Sequence, residues 1–434
     1  MINMRWVLLL VSLSMLLNEA NAKEFIPRLG LSVEQNDNIY KTKEGAEQDT
    51  VVTPYFGFIY EDQGSQLDAS IDFEIRNERY LNNSPNNQNL FSANSFLDWI
   101  IVPNRFVWAF EDMANTQRIT AFEAAKPSNI QNFNVFTTGP DFIFSDGSYE
   151  GLLKLRVGDV YYSDTGADNQ RLIGSASAKR LINEYSSLGL KAAVSLVDFE
   201  EVFRVDYDIG FMGAAYEREL PYGTFQITTG FNWVNHDNGI EENAPMGELE
   251  FEYDNGANVL RLAASSKYSD PALEAYDPLY SRQYDVGVGK PVNANEVSGV
   301  EVVDSNRAEA SYTREGARVK ATVLGYLENR EPLLGNPASY LEQVGYNVGL
   351  AYQLRDNLSL WVGHNASDND FTKKNSYVKS VSTSVGVNYN ISQYLKLTVG
   401  ASVGEDSSDD PKRDFSNDIV FLRIEYSGAS KERE

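Results

Sequence analysis

A chain of 434 residues with no cysteine and a net charge of −25 carries no disulfide and no thiol for a lipid anchor, and its charge argues against nucleic acid as a partner. Aromatic residues make up 12% of it, 25 Tyr and 22 Phe among them, while the mean hydropathy is −0.38. That balance suits a polar-lined sheet better than a bundle of membrane helices.

The chain opens with Arg5, an apolar run from Trp6 to Leu17 and a small-x-small site at Ala20-Asn21-Ala22, the pattern of a secretory signal peptide over residues 1–22. The run is too short for a spanning helix, which needs about 20 apolar residues. Removing it takes away one Arg and one Glu, so residues 23–434 keep the charge of −25. They hold no apolar run long enough for a transmembrane helix, so only a closed sheet would cross a bilayer.

Further along, segments alternate apolar and polar residues with period two, the mark of strands with one greasy and one wet face. Leu67, Ala69, Ile71, Phe73 and Ile75 oppose Asp68, Ser70, Asp72, Glu74 and Arg76. Phe225, Ile227, Thr229, Phe231 and Trp233 oppose Thr224, Gln226, Thr228, Gly230 and Asn232, and Val381 to Tyr389 and Leu395 to Val403 repeat the division. The segments run about 10–14 residues, long for a soluble sandwich and right for a tilted membrane crossing. Short turns such as Val102-Pro103-Asn104 and Asp254-Asn255-Gly256 alternate with longer polar stretches at 36–49, 80–90, 113–130, 236–245, 329–339, 367–376 and 405–416. The sequence therefore predicts an all-β, antiparallel up-and-down transmembrane barrel in the outer membrane of a Gram-negative bacterium, with about 20 strands (range 16–22). Residues 113–130 and 270–305 are its most prominent outer loops, and Thr120–Ala125 and 270–305 are candidates to fold into the lumen.

If the apolar face meets lipid and lipopolysaccharide, the other face lines the lumen. It carries Asp68, Asp72 and Glu74 on one strand, Asp206 and Asp208 on another, and Glu248, Glu250 and Glu252 on a third. These acids either favour cations and neutral sugars along a passage or pair with Arg76, Arg204 and Arg261. Tyr55, Tyr60, Trp99, Trp108, Tyr161, Tyr162, Tyr207, Trp233 and Tyr426, near strand ends, fit interfacial girdles. Trp361 falls on the wet face, where it would stack on a sugar ring or pack. Glu405–Asp410 offers oxygen ligands without the spacing of a defined calcium loop, so it reads as a surface turn. No metal site, phosphate loop or nucleotide fingerprint is present, so no cofactor is expected. Neither His supports catalysis: Ser367, three residues after His364, points to the opposite strand face, and His236-Asp237 is an isolated pair, so no enzyme is expected.

Four stretches carry a family likeness: Leu29–Asn38, Trp99–Trp108, Pro127-Ser128-Asn129 leading to Gly139-Pro140, and Asp414–Tyr426. Through them the chain resembles the putative β-barrel porin 2 family, particularly members found with exopolysaccharide and PEP-CTERM loci. The resemblance implies an outer-membrane barrel associated with polysaccharide export, with a polysaccharide and periplasmic export components as partners. It implies no catalytic residue. The residues themselves leave two rivals open, a general diffusion porin and a non-conducting barrel that binds lipopolysaccharide or a partner.

Overall fold

The computed structural model describes residues 24–82, 87–119, 127–201, 204–270, 302–334, 340–371, 376–410 and 414–428. The expected signal peptide, Thr120–Ala125 and nearly all of the 270–305 loop lie outside them. The sheet opens with β1 (Glu24–Asn36), β2 (Asp49–Gln63), β3 (Leu67–Tyr80), β4 (Gln88–Val102) and β5 (Phe106–Arg118). A 3-10 turn at Pro127–Asn129 leads into β6 (Ile130–Asp146), β7 (Tyr149–Tyr162), β8 (Asn169–Asn183), β9 (Ser186–Phe199) and β10 (Tyr207–Leu220). Then follow β11 (Gly223–His236), β12 (Glu241–Asp254), β13 (Asn258–Ser269), β14 (Val303–Glu315) and β15 (Val319–Pro332). The last are β16 (Leu341–Arg355), β17 (Leu358–Phe371), β18 (Ser376–Asn390), β19 (Leu395–Ser408) and β20 (Phe415–Ser427). Each strand pairs antiparallel with the next, and β20 returns to β1 with Tyr426 opposite Leu29. The ring leaves no sheet edge, so every strand finds a hydrogen-bonding neighbour without water.

The two faces follow from the alternation. Leu190, Phe231 and Val157 are more than 60% exposed, and with the other exposed leucines, valines and aromatics they form an outer belt for acyl chains. Phe25, Phe58 and Phe73 continue that belt across β1–β3, with ring centroids 5.6 and 5.7 Å apart. Trp99 and Trp108 stand opposite each other on the outer face at the short-turn end. Tyr55, Tyr162 and Tyr207, expected in girdles, instead face inward: Tyr55 donates to Glu425 at 2.9 Å, and Tyr162 and Tyr207 are buried in inner apolar clusters.

Connections such as 147–148, 221–222 and 356–357 close one end of the barrel, and both described termini lie there. The other end carries the longer loops, but several strands run further than the alternation predicts. β12 starts at Glu241 and β17 reaches Phe371, where polar loops were expected. The reason is geometric. A 14-residue strand at a tilt of about 40° rises roughly 36 Å, more than the apolar band of about 25 Å. Above that band both faces meet water and the alternation ends while the pairing continues. Glu405–Ser408, expected in a turn, likewise belongs to β19. Beyond it Asp409 accepts the Tyr377 N–H at 2.9 Å, which holds its carboxyl below the usual range. Asp414, bonded by Lys43 at 2.8 Å and by the Ser408 N–H, is lowered too, which joins the loop after β1 to the loop after β19.

Candidate pore wall

On the inner face of β3 and β4 the register places Asp68 opposite Asp98, Ser70 opposite Phe96, Asp72 opposite Asn94 and Glu74 opposite Ser92. Asp68, Ser70, Asp72, Asn94 and Phe96 are all exposed, so this arc stands open to the lumen. Asp72 pairs with Arg28 of β1 and Glu74 with Arg76 on its own strand. The second acidic strand lies across the barrel. Glu248 meets Lys267 at 2.7 Å and Glu252 meets Arg261 at 2.9 Å, while Glu250 stands opposite Gln226 and Ala263. Arg204 reaches the carbonyls of Gly166 and Thr165 at 3.0 and 2.9 Å.

Asp206 and Asp208 depart from the expected placement. Asp208 is in register with Leu196, which is 41% exposed on the outer face, and with Asn235. Asp206 precedes β10, and its carboxylate accepts the Phe199 N–H at 2.8 Å. Small and apolar residues occupy both parities of β10, so its wet face cannot be read locally.

Basic residues collect on β7–β9. Lys154, Arg156, Lys179 and Lys191 all face inward, Arg156 bonded to Glu111 and Asp141 and Lys179 to Glu150. β16–β19 present an uncharged arc over the middle of the wall, with Asn347, Asn365, Ser382, Ser384 and Ser402 among its inward groups. Trp361 lies on this arc and is only 5% exposed, stacked on Phe421 with ring centroids 6.4 Å apart. Both rings lie flat because Gly386 and Gly400 sit beneath them, where a Cβ would come within 2.5 Å of the Trp361 or Phe421 ring. Gly400→Val is therefore expected to destabilise the folded barrel by about 1–3 kcal/mol through overpacking. Urea unfolding should show it against Gly325→Val, where a Cβ meets open space.

At the long-loop end the inner wall of β6–β11 is covered. Phe133, Val135, Val160 and Tyr162 form one buried cluster, and Val197, Tyr207, Ile209 and Val234 form another with Val302. Asp270 meets Arg171 of β8 at 2.6 Å and accepts the Tyr207 hydroxyl at 2.6 Å. The residues flanking 271–301 are thus both seated on the inner wall. Neither this anchor nor Phe96 was legible as a site in the sequence. For Phe96 a signal existed, because it lies between Asn94 and Asp98 at period two while Leu97 and Trp99 take the other parity.

Ser367 faces inward and His364 outward, as the period requires, and His364 bonds Tyr346 at 3.2 Å and Thr383 at 2.8 Å. No group of metal-ligating side chains occurs among the described residues.

A closed 20-stranded ring with an apolar belt and a polar interior defines the chain as a porin-like barrel of the outer membrane. More particularly, residues 332–427, the end of β15 with β16–β20, match the family model described as Putative beta-barrel porin 2, a porin family rather than one of enzymes. The likeness in Asp414–Tyr426 falls within that match. Among solved structures, a mutant of the ferric enterobactin receptor PfeA from Pseudomonas aeruginosa is similar at 12% identity. It covers 94% of this chain and 81% of that one, with a TM-score of 0.47. OpdK from Pseudomonas aeruginosa, solved with vanillate, is similar at 10% identity, covering 94% and 99%, with a TM-score of 0.41. The FrpB iron transporter from Neisseria meningitidis is similar at 10% identity, covering 93% and 82%, with a TM-score of 0.44. Likenesses this distant say nothing of what this chain carries. No curated protein matches the chain.

Proposed function

We propose that the barrel is a water-filled pore for neutral and cationic hydrophilic solutes, and that it serves exopolysaccharide export. The observation that carries the pore reading is the open arc of β3–β4, where Asp68 and Asp72 are exposed to the lumen. Fixed carboxylates concentrate cations and repel anions. The export reading draws on the uncharged arc of β16–β19, whose amides and hydroxyls suit a neutral glycan, and on the family likeness. On it, a polysaccharide and periplasmic export components are the partners, and lipopolysaccharide meets the outer belt.

Purified barrel in planar bilayers tests the pore. Discrete, cation-preferring conductance steps are expected at 0.1 M salt, with neutral oligosaccharides interrupting the current. Conductance without any oligosaccharide effect returns the protein to general diffusion. No conductance favours a structural barrel, a reading that the seating of Asp270 and Val302 on the inner wall supports.

A further inference from the structure

Phe96 differs from the other exposed apolar side chains of the wall. Among the described residues in regularly paired strand interiors, the large apolar side chains left open otherwise face lipid. Phe96 faces inward and is still 43% exposed. The register fixes its direction, because it stands opposite Ser70 on one side and Glu111 on the other. Glu111 in turn bonds Arg156 at 3.3 Å and Thr137 at 2.7 Å on the inner face. A phenyl ring left partly in water forgoes the burial available to apolar side chains elsewhere, and its π system is electron-rich on its faces.

Acidic groups lie close to the ring. Asp98 and Asn94 lie two residues away on the same side of β4, and Asp68 and Asp72 flank Ser70 on β3, about 7–8 Å away between backbones. Asp72 is compensated by Arg28 and Glu111 by Arg156. Asp68 and Asp98 take part in no ion pair or hydrogen bond among the described residues. We propose that Phe96, Asp68 and Asp98 form a binding step for organic ammonium cations inside the lumen. The ring attracts a cation through its quadrupole, and the carboxylates of Asp68 and Asp98, neither held in an ion pair, supply the charge, with Lys154 and Arg156 acting on Asp98 from further off. A tightly hydrated inorganic cation gains less from the ring, whereas a neutral sugar is better served by the amides and hydroxyls of β16–β19.

This site rests on the reading of the β3–β4 wall as open to solvent, so binding is measured separately from conductance. Choline is titrated into the folded, detergent-solubilised barrel and followed by saturation-transfer NMR, with glucose as the neutral probe. Choline is expected to bind. Phe96→Leu should weaken it about two- to fivefold, and Phe96→Tyr should restore it. Asp68→Asn with Asp98→Asn should weaken it further while leaving the heat-dependent gel shift of the folded barrel unchanged. The site is overturned if choline binds equally to wild type and Phe96→Leu, or if glucose shows the same dependence on Phe96. Should Phe96→Leu fail to fold, the two Asp→Asn changes decide alone. A barrel that binds choline in this way but passes no current removes the pore and keeps the site.

Discussion

Asp270→Ala is expected to destabilise the barrel by about 3–5 kcal/mol, the usual loss when one partner of a buried ion pair is removed. The side chains of Arg171 and Asp270 are 2% and 1% exposed and 2.6 Å apart. The Arg171 Nε donates to Asn169 Oδ1 at 2.7 Å, and the Tyr207 hydroxyl also depends on the Asp270 carboxylate. Without that carboxylate a guanidinium is left buried beside a phenol that has lost its acceptor. Arg171→Met combined with Asp270→Leu should recover most of the loss, because no charge then remains to be solvated. Urea unfolding in detergent, followed by tryptophan fluorescence, measures both. If the single change costs less than about 1 kcal/mol, the pair behaves as a solvated surface bridge and the anchor has no energetic weight.

The second large effect concerns selectivity. Glu248, Glu250 and Glu252 share the inner face of β12, and two of them hold Lys267 and Arg261. Changing all three to Gln removes three negative charges from the wall, two of them partners of Lys267 and Arg261. A cation-preferring wild type is therefore expected to lose much of that preference at 0.1 M salt. Most of the difference should vanish at 1 M, as the Debye length falls from about 10 Å to about 3 Å. Asp68→Asn alone should shift the reversal potential in the same direction by less, since it removes one charge where the triple variant removes three. Unchanged reversal potentials in the triple variant would place β12 away from the ion path. A change that persists undiminished at 1 M would point to altered pore shape instead of charge.

Amphipathy decided how much of this was legible beforehand. Lipid on one side and water on the other impose period two on each strand locally. The runs from Leu67 to Arg76 and from Thr224 to Trp233 therefore declare their faces without any neighbour. That is why the barrel class, a count near 20 and the inward direction of Asp68, Asp72, Glu74, Glu248, Glu250 and Glu252 follow from sequence. Cross-strand neighbours obey no such local rule. Arg28 meeting Asp72 depends on the registers of β1 with β2 and of β2 with β3. Asp270 meeting Arg171 brings the end of β13 to the wall of β8, 99 residues away in the chain. Where a strand leaves the apolar band, as at Asp208 and Glu241, both faces meet water, and only pairing shows which way a side chain points. The residues thus determined on their own which face of each amphipathic strand meets water. The closure of the ring decided which charges share a wall, which of them are paired, and that Phe96, alone among the described large apolar side chains of the regular wall, stands open among carboxylates.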